Sequence, residues 1–251
     1  MYVEDCQVIS NLKVSEDIFK IEIHCPDICA TAEAGQFVHV KVSDSYDPLL
    51  RRPLSINNID IQSGNITLLY KILGKGTQLL SEKKHDDLIS IMGPLGNGFP
   101  LHNDKKTAII GGGVGIAPLL ELSKRLKTSD VYIGFKDSIY LVDEFSKYAK
   151  ILNIFTEDGS AGMIGFPTQL LEKNIEQYDI VYTCGPKAMM KSVKDICENN
   201  GVQCYISMEE NMGCGIGACL TCSCKTISEG KYKRVCVDGP VFNSKEVILD
   251  D

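Results

Sequence analysis

The sequence predicts a multidomain protein of mixed β and α/β class. Its expected parts are an antiparallel β-barrel, a doubly wound parallel α/β domain and a small C-terminal cysteine-rich lobe. Three observations predict this. Short segments with period-two apolar patterning fill the first hundred residues. Strand–helix alternation then begins at a glycine-rich turn, Gly111-Gly112-Gly113-Val114-Gly115. A cysteine run spaced C-x4-C-x2-C stands near the C-terminus. Together they divide the chain at 1–100, 101–203 and 204–251.

Composition sets the bounds. The 251 residues suffice for two ordinary domains and a small third, and 44% hydrophobic with 24% charged residues is the balance of a globular protein. A net charge of −7 argues against a nucleic-acid surface and offers no patch for an anionic membrane. No run reaches the roughly 18 apolar residues of a membrane span. The most apolar stretch, 107–120, is broken by four glycines and a proline. Met1-Tyr2-Val3-Glu4-Asp5 has neither the basic nor the apolar region of a signal peptide, so a cytoplasmic protein is expected. The eleven cysteines then read as thiols and ligands in a reducing compartment, not as a disulfide framework.

In the first part, Val8-Ile9, Phe19-Lys20-Ile21-Glu22-Ile23, Phe37-Val38-His39-Val40-Lys41-Val42 and Ile66-Thr67-Leu68-Leu69-Tyr70-Lys71-Ile72 alternate or cluster apolar residues. Turn residues punctuate them at the rhythm of a small antiparallel barrel. Arg52-Pro53-Leu54-Ser55 sets a fixed cation, a rigid turn and a hydroxyl in four residues. Arg52 suits a pyrophosphate, and Ser55 suits a flavin ring or its ribityl chain. Further on, Gly74-Lys75-Gly76-Thr77 opens a helix over 77–82, where Gly76 and Thr77 would offer N–H groups to an anion. An arginine before a turn is usually a solvated cation, and it is the two motifs inside one barrel that point to flavin.

In the middle part, Thr107-Ala108-Ile109-Ile110 reads as a strand buried on both faces. It enters the turn Gly111-Gly112-Gly113-Val114-Gly115-Ile116-Ala117-Pro118 and a helix through about residue 127. Glycines there let a backbone approach a pyrophosphate, although the G-x-G-x-x-G fingerprint is not met. Strands over 131–135, 151–156 and 179–182 and helices over 167–172 and 187–199 complete a doubly wound domain. The 179–182 strand ends in Cys184-Gly185-Pro186, at the carboxyl edge where such sheets bind ligands. A small buried thiol before a helix is the plainer use of Cys184. Lys136-Asp137 after the second strand, with no arginine pair, favours NAD over NADP.

In the last part, Cys214, Cys219 and Cys222 carry the C-x4-C-x2-C spacing and Cys236 follows fourteen residues beyond Cys222. This is the spacing of a plant-type [2Fe–2S] cluster, with three thiolates from one loop and a fourth from a distance. Gly213, Gly215 and Gly217 are expected to give the loop positive φ and to leave amide N–H groups near the sulfurs. Structural zinc is the alternative for four cysteines, although zinc ribbons present two separated C-x2-C pairs. Cys224 is read as a bystander pointing away, with replacement of Cys222 as its other use. His24, His39, His85 and His102 are scattered and read as surface or packing residues; no catalytic residue is identified.

These motifs, in this order, resemble the ferredoxin–NADP reductase superfamily, whose barrel carries the Arg-x-[Tyr/Pro-Leu]-Ser strand, a later Gly-Thr and a closing Gly-Pro-x-Gly, here Gly93-Pro94-Leu95-Gly96. Within it the chain is most similar to the electron-transfer subunit family of NAD-linked (class B) dihydroorotate dehydrogenase. The segment from Met208 to Cys222 carries that resemblance, with Asn211 where a basic residue is frequent. The resemblance implies FAD on Arg52, Pro53, Leu54, Ser55, Leu69, Tyr70, Lys71, Gly76 and Thr77. It implies NAD at Gly111, Gly112, Gly113 and Gly115, with Cys184, Gly185 and Pro186 beside the nicotinamide and Glu157-Asp158-Gly159-Ser160 near the cofactor. It implies a [2Fe–2S] cluster on Cys214, Cys219, Cys222 and Cys236. Dihydroorotate would be oxidised on a separate FMN-bearing subunit, in a heterotetramer with two copies of each chain. Electrons would cross the cluster and FAD to NAD⁺ in pyrimidine (UMP) biosynthesis. Other readings open at this point are a related NAD(P)H-dependent ferredoxin, sulfide or hydrogenase-linked reductase subunit, and a redox-sensing or zinc-stabilised binding module.

Overall fold

Period-two patterning in the first hundred residues is the pleat of six strands that close on themselves. The computed structural model describes residues 1–249; Asp250 and Asp251, at the end of the lobe expected over 204–251, lie outside the described residues. Strands β1 (Tyr2–Lys13), β2 (Ile18–His24), β3 (Phe37–Lys41), β4 (Arg52–Asp60), β5 (Asn65–Lys71) and β6 (Leu88–Leu95) form an antiparallel barrel in the order β1-β2-β5-β4-β3-β6. Closure comes from β6 on β1, with Tyr2 opposite Gly93. Ile21, Ile23, Val38, Val40, Ile66 and Leu68 fill the interior, as alternation across a pleat requires.

Helix α1 (Pro26–Thr31) plugs one end of the barrel with Ile28 and Cys29. Helix α2 (Lys75–Ser81) starts two residues before the expected 77. The Thr77 hydroxyl accepts the N–H groups of Leu73 and Gly74 at 2.9 and 3.3 Å, which winds the preceding residues into the first turn.

The second part alternates as expected. Strand β7 (Thr107–Gly112) passes through a 3₁₀ turn, Gly113–Ile116, into α3 (Ala117–Arg125). Then come β8 (Ser129–Phe135), α4 (Val142–Ser146), β9 (Ile151–Thr156), β10 (Met163–Ile164), α5 (Pro167–Asn174), β11 (Ile180–Cys184), α6 (Lys187–Asn199) and β12 (Gln203–Ser207). Helix α3 stops short of 127 because Leu126 turns extended and buries its side chain. Helices α3 and α4 pack on one face of the sheet and α5 and α6 on the other, with Ile109 and Val131 facing the first pair and Ile110 and Val181 the second.

The lobe is less separate than its length suggests. Strands β13 (Ser223–Lys225) and β14 (Tyr232–Arg234) make a small hairpin. Strand β14 is only three residues long, because Val235 and Cys236 turn into the core. Strand β15 (Val241–Asn243) then joins the large sheet antiparallel to β12, giving the order β10-β9-β8-β7-β11-β12-β15. On the other side, Asn97 at the end of the barrel donates its backbone N–H to Gly239 at 2.6 Å and its amide to Val237 at 3.0 Å. The lobe is thus tied to both larger parts.

Barrel and sheet are locked through β4 and α3. Asn57 donates to the Ala117 carbonyl at 2.9 Å, and the Ile59 N–H donates to Glu121 at 3.0 Å. Glu121 is fully buried but paired with Lys124 and Arg125 at 3.2 and 2.6 Å. A buried carboxylate so satisfied fixes the register of the two parts, and removing both cations would leave its charge uncompensated.

A second tie yields a pH-dependent prediction. Lys20 of β2 meets Glu144 of α4 at 3.0 Å. Partial burial works to raise the Glu144 carboxyl, but the bonds from Lys20 and its own backbone N–H together outweigh it and hold the group below its usual range. A depressed folded value stabilises above the unfolded pKa of about 4.3 and is lost as pH falls through the folded one. Glu144→Gln should therefore cost ~0.2–1 kcal/mol at pH 7, small because both groups are a third exposed. The gap between variant and parent in thermal unfolding should close below about pH 4.

Candidate functional site: a flavin cleft leading to paired cysteines

One cleft of about 570 Å³ opens where the three parts meet, within the range that holds an organic cofactor. Its barrel wall is Arg52, Pro53, Leu54 and Ser55 from β4 and Leu69, Tyr70 and Lys71 from β5. Gly76 and Thr77 of α2 close one end. All nine residues expected to meet FAD therefore line a single cavity. Its other walls, outside the two flavin motifs, include Val114 and Ala117 from the glycine turn, and Met208 to Met212 leading into the cysteine run. The signal available was adjacency: Met208-Glu209-Glu210-Asn211-Met212 directly precedes Gly213-Cys214.

Arg52 is held for its task. Its guanidinium donates to the Leu50 carbonyl and lies flat on Gly76, where an added Cβ would stand only 2.2 Å from Nε and 2.6 Å from Cζ. A side chain at position 76 would thus push the guanidinium off this seat. Thr77 spends its hydroxyl on the turn itself. Lys71 and Lys75 are anchored by Asp17 and Asp47 at 3.0 and 2.5 Å. A fixed cation beside an apolar wall fits a flavin dinucleotide, with Arg52 for the pyrophosphate and Ser55 for a polar edge. Glu209 stands in the same cleft, reachable by water but walled by protein, and desolvation pushes its carboxyl up.

The glycine turn and the Cys184-Gly185-Pro186 segment come together beside this cleft. Gly115 packs so closely on Gly185 that a Cβ would lie 2.4 Å from its Cα, and Gly112 packs on Pro186 and Met189. Gly113, with φ +54, faces open space. Of this turn only Val114 and Ala117 reach the flavin cleft; Cys184, Gly185 and Pro186 do not line it. Cys184 is 1% exposed, and burial pushes its thiol far above the ordinary range while Ser207 bonds it. Asp137 receives the Ser160 hydroxyl on its backbone carbonyl at 2.9 Å, joining the loops after β8 and β9.

The cysteine loop shows two pairs. The backbone N–H groups of Ile216, Ala218 and Cys219 point at the Cys214 sulfur at 3.5, 3.3 and 3.4 Å, and that of Cys214 at the Cys219 sulfur at 3.4 Å. The Cys236 N–H points at the Cys222 sulfur at 3.4 Å. Among the described residues no three His, Cys, Asp or Glu side chains converge on one point. Cys214 with Cys219 and Cys222 with Cys236 suit two metals with two protein sulfurs each. Amide N–H groups aimed at sulfur fit an anionic cluster.

Thr221 bonds Cys219 through side chain and backbone and, with help from Cys214, holds its thiol at about 6, while burial and then Cys222 push Cys236 up to about 12. Cys219 is therefore ready as thiolate at neutral pH, whereas Cys236 requires the metal to displace its proton. Gly215 and Gly217 take positive φ as expected, at +72 and +80, but Gly213 does not; the third left-handed residue is Leu220, at +62. Space is tight at Gly213 instead, where a Cβ would meet the Cys219 sulfur at 3.2 Å. Cys224 is buried in the core beside Lys233 of β14. Arg234, braced by Asp238 at 3.1 Å, donates to the Gly217 carbonyl at 3.3 Å and clips the loop down.

Solved structures share this architecture. A chain described as an NADH-dependent reduced ferredoxin-NADP oxidoreductase, studied for flavin-based electron bifurcation, superposes with TM-score 0.88 and 32% identity over 97% of this chain and 90% of its own. A ferredoxin NADP⁺ reductase from Neisseria gonorrhoeae shares the fold, with TM-score 0.65 and 17% identity over 84% and 95%. Fold and cleft together define a reductase of the ferredoxin–NADP reductase class. Residues 5–99 match the family model "Oxidoreductase FAD-binding domain", and residues 209–248 match "Iron-sulfur cluster binding domain of dihydroorotate dehydrogenase B". Proteins named dihydroorotate dehydrogenase B (NAD(+)), electron transfer subunit, are 41% identical in Geobacillus kaustophilus, over 98% of each chain, and 44% identical in Clostridium acetobutylicum, over 98% of this chain and 97% of its own. The chain belongs to that family of electron transfer subunits.

Proposed function

We propose that this chain is the NAD-linked electron-transfer subunit of a dihydroorotate dehydrogenase, working in pyrimidine biosynthesis beside a catalytic subunit that carries FMN. The observation that carries the proposal is the shared cleft: residues of the Arg52–Ser55 motif, the glycine turn and the segment entering the cysteine loop line one cavity. When bound, FAD exchanges electrons singly or in pairs, a [2Fe–2S] cluster one at a time and nicotinamide a hydride, so the set converts between one- and two-electron traffic. FAD falls to residues 1–100, NAD to 101–203 and the cluster to 204–251.

The chain's own residues supply binding and orientation. Arg52, seated on Gly76, neutralises the pyrophosphate of FAD, and Ser55, Leu69, Tyr70 and Lys71 orient the rest of it. Gly111, Gly112, Gly113 and Gly115 let NAD approach the backbone, with Cys184, Gly185 and Pro186 shaping the far side. Cys214, Cys219, Cys222 and Cys236 hold the cluster. No residue here needs to abstract a proton from dihydroorotate, because that oxidation belongs to the partner. No helix among the described residues is long and apolar enough to cross a membrane. We take the complex to be a cytoplasmic heterotetramer with two copies of each chain.

The partner's docking face is the rim of the cysteine loop. Ile216, Leu220 and Val237 are 50%, 62% and 38% exposed there, beside the exposed Cys219 and with Cys222 and Cys236 buried behind. Mixing the chain with an FMN-containing dihydroorotate dehydrogenase subunit should give a complex on gel filtration and dihydroorotate-to-NAD⁺ activity. Leu220→Glu should abolish both while sparing NADH-dependent dye reduction. Absence of complex and activity with the unaltered chain would defeat the proposal, as would turnover of dihydroorotate by this chain alone. The likeness to the ferredoxin-NADP oxidoreductase chain favours a second reading, a subunit of a related ferredoxin-linked reductase. That reading requires NADH-driven ferredoxin reduction within its complex.

A further inference from the structure

His39 is the residue whose burial the proposed chemistry leaves unused. It is 0% exposed on β3, and neither ring nitrogen has a hydrogen-bond partner. Its backbone carbonyl is occupied by Arg51 at 3.2 Å, so the strand is fixed and the ring alone is unsatisfied. Burial, with Arg51 and then Arg52 nearby, pushes the imidazole down to about 4, so the ring is neutral at working pH and carries one N–H. A buried donor without an acceptor is costly and rare in a native protein. The protein itself offers the ring no acceptor, which leaves its N–H free for a bound group.

Position decides which group that is. His39 stands opposite Pro53 across β3 and β4, next to the flavin motif, but it does not line the cleft. Phe37 and Pro53 do line it, and the Phe37 ring meets the His39 ring edge-on at 6.2 Å. On its other side His39 lies against the cysteine loop. A Cβ on Gly215 would stand 2.8 Å from Nδ1 and 3.1 Å from Cε1. Gly215 follows Cys214, whose sulfur already gathers three backbone N–H groups.

We infer that His39 donates a side-chain hydrogen bond to a sulfur of the bound [2Fe–2S] cluster. It thereby acts as a positioning residue that raises the cluster's reduction potential from the barrel side. The inference rests on the proposal that Cys214, Cys219, Cys222 and Cys236 hold that cluster. Hydrogen bonds to cluster sulfurs stabilise the reduced, more negative state. The donor here sits on the strand beside the one that carries Arg52, so neighbouring strands of the barrel would hold FAD and tune the centre that exchanges electrons with it.

The test is an EPR-monitored redox titration of the holoprotein. His39→Leu should lower the reduced-to-oxidised ratio of the cluster at fixed potential three- to tenfold, a fall of about 30 to 60 mV for one electron. His39→Asn, which returns an N–H near the place of Nδ1, should recover most of it, and the FAD midpoint should stay within its unaltered value in both. Should a substitution prevent folding or cluster loading, the unaltered holoprotein labelled with ¹⁵N-histidine decides the matter. Pulsed EPR should show a ¹⁵N coupling to the reduced cluster. The other three histidines bond elsewhere, His24 to Asn65, His85 to the Ile9 carbonyl and His102 to Tyr205. An unmoved cluster midpoint in His39→Leu, a shift confined to FAD, or absence of the ¹⁵N coupling would each overturn the inference. Absence of any reduced-cluster signal from the unaltered protein would instead overturn the cluster assignment, and the inference with it.

Discussion

Replacing any one of Cys214, Cys219, Cys222 or Cys236 by serine is expected to remove most or all of the [2Fe–2S] absorption and EPR signal. Each pair of sulfurs is closed by short backbone contacts, so losing one thiolate leaves a metal with a single protein sulfur on that side. The two pairs should fail differently. Cys219 is exposed and its thiol already low, so Cys219→Ser should lose the cluster while leaving the surrounding fold intact. Cys222 and Cys236 are 2% exposed within the apolar core, where an unpaired hydroxyl costs about 1–3 kcal/mol. Their variants should therefore also lower the unfolding temperature. Cys224→Ser should retain the cluster. A cluster that survives Cys222→Ser and disappears in Cys224→Ser would reassign the third ligand.

The second large effect is expected at the flavin. Losing a charge-assisted contact costs about 1.5–3 kcal/mol, so Arg52→Ala should weaken FAD binding ~10- to 150-fold. Arg52→Lys keeps the charge without the planar fork and should fall between. Gly76→Ala supplies the sharper test, because it touches no charge. Its methyl would occupy space now held by the guanidinium, 2.2 Å from Nε, and must displace it. Flavin affinity should drop in the same direction, with the cluster signal unchanged. Equal FAD occupancy on dilution of all three variants would remove Arg52 from the site.

Much of this was legible in the residues. Alternating Val38 and Val40, or Ile21 and Ile23, announce a barrel because burial and pleat share one period. Thr107-Ala108-Ile109-Ile110 announces a parallel strand because both faces are covered. The four ligand candidates were readable because a loop that wraps a small object fixes its own spacing. Relations between distant segments were not readable. That Gly76 makes room for Arg52 depends on a contact 24 positions apart. That Leu220 rather than Gly213 turns left-handed was likewise not marked by residue type. Val241–Asn243 is too short to carry a period, so its place at the sheet edge came only from pairing with β12. His39, in an alternating strand, reads as one more packing residue until Gly215 is found against it.

The anchoring of the C-terminal lobe bears on timing. The chain that leaves the cysteine loop is stitched to the barrel through Asn97 and Gly239 and to the sheet through β15. Carriers that swing a tethered centre between donor and acceptor spend their turnover on diffusion of a domain. Here the spacing between cysteine loop and cleft is part of the scaffold, as invariant as a strand register. Electrons passing between loop and cleft would therefore cross a separation that the scaffold itself fixes.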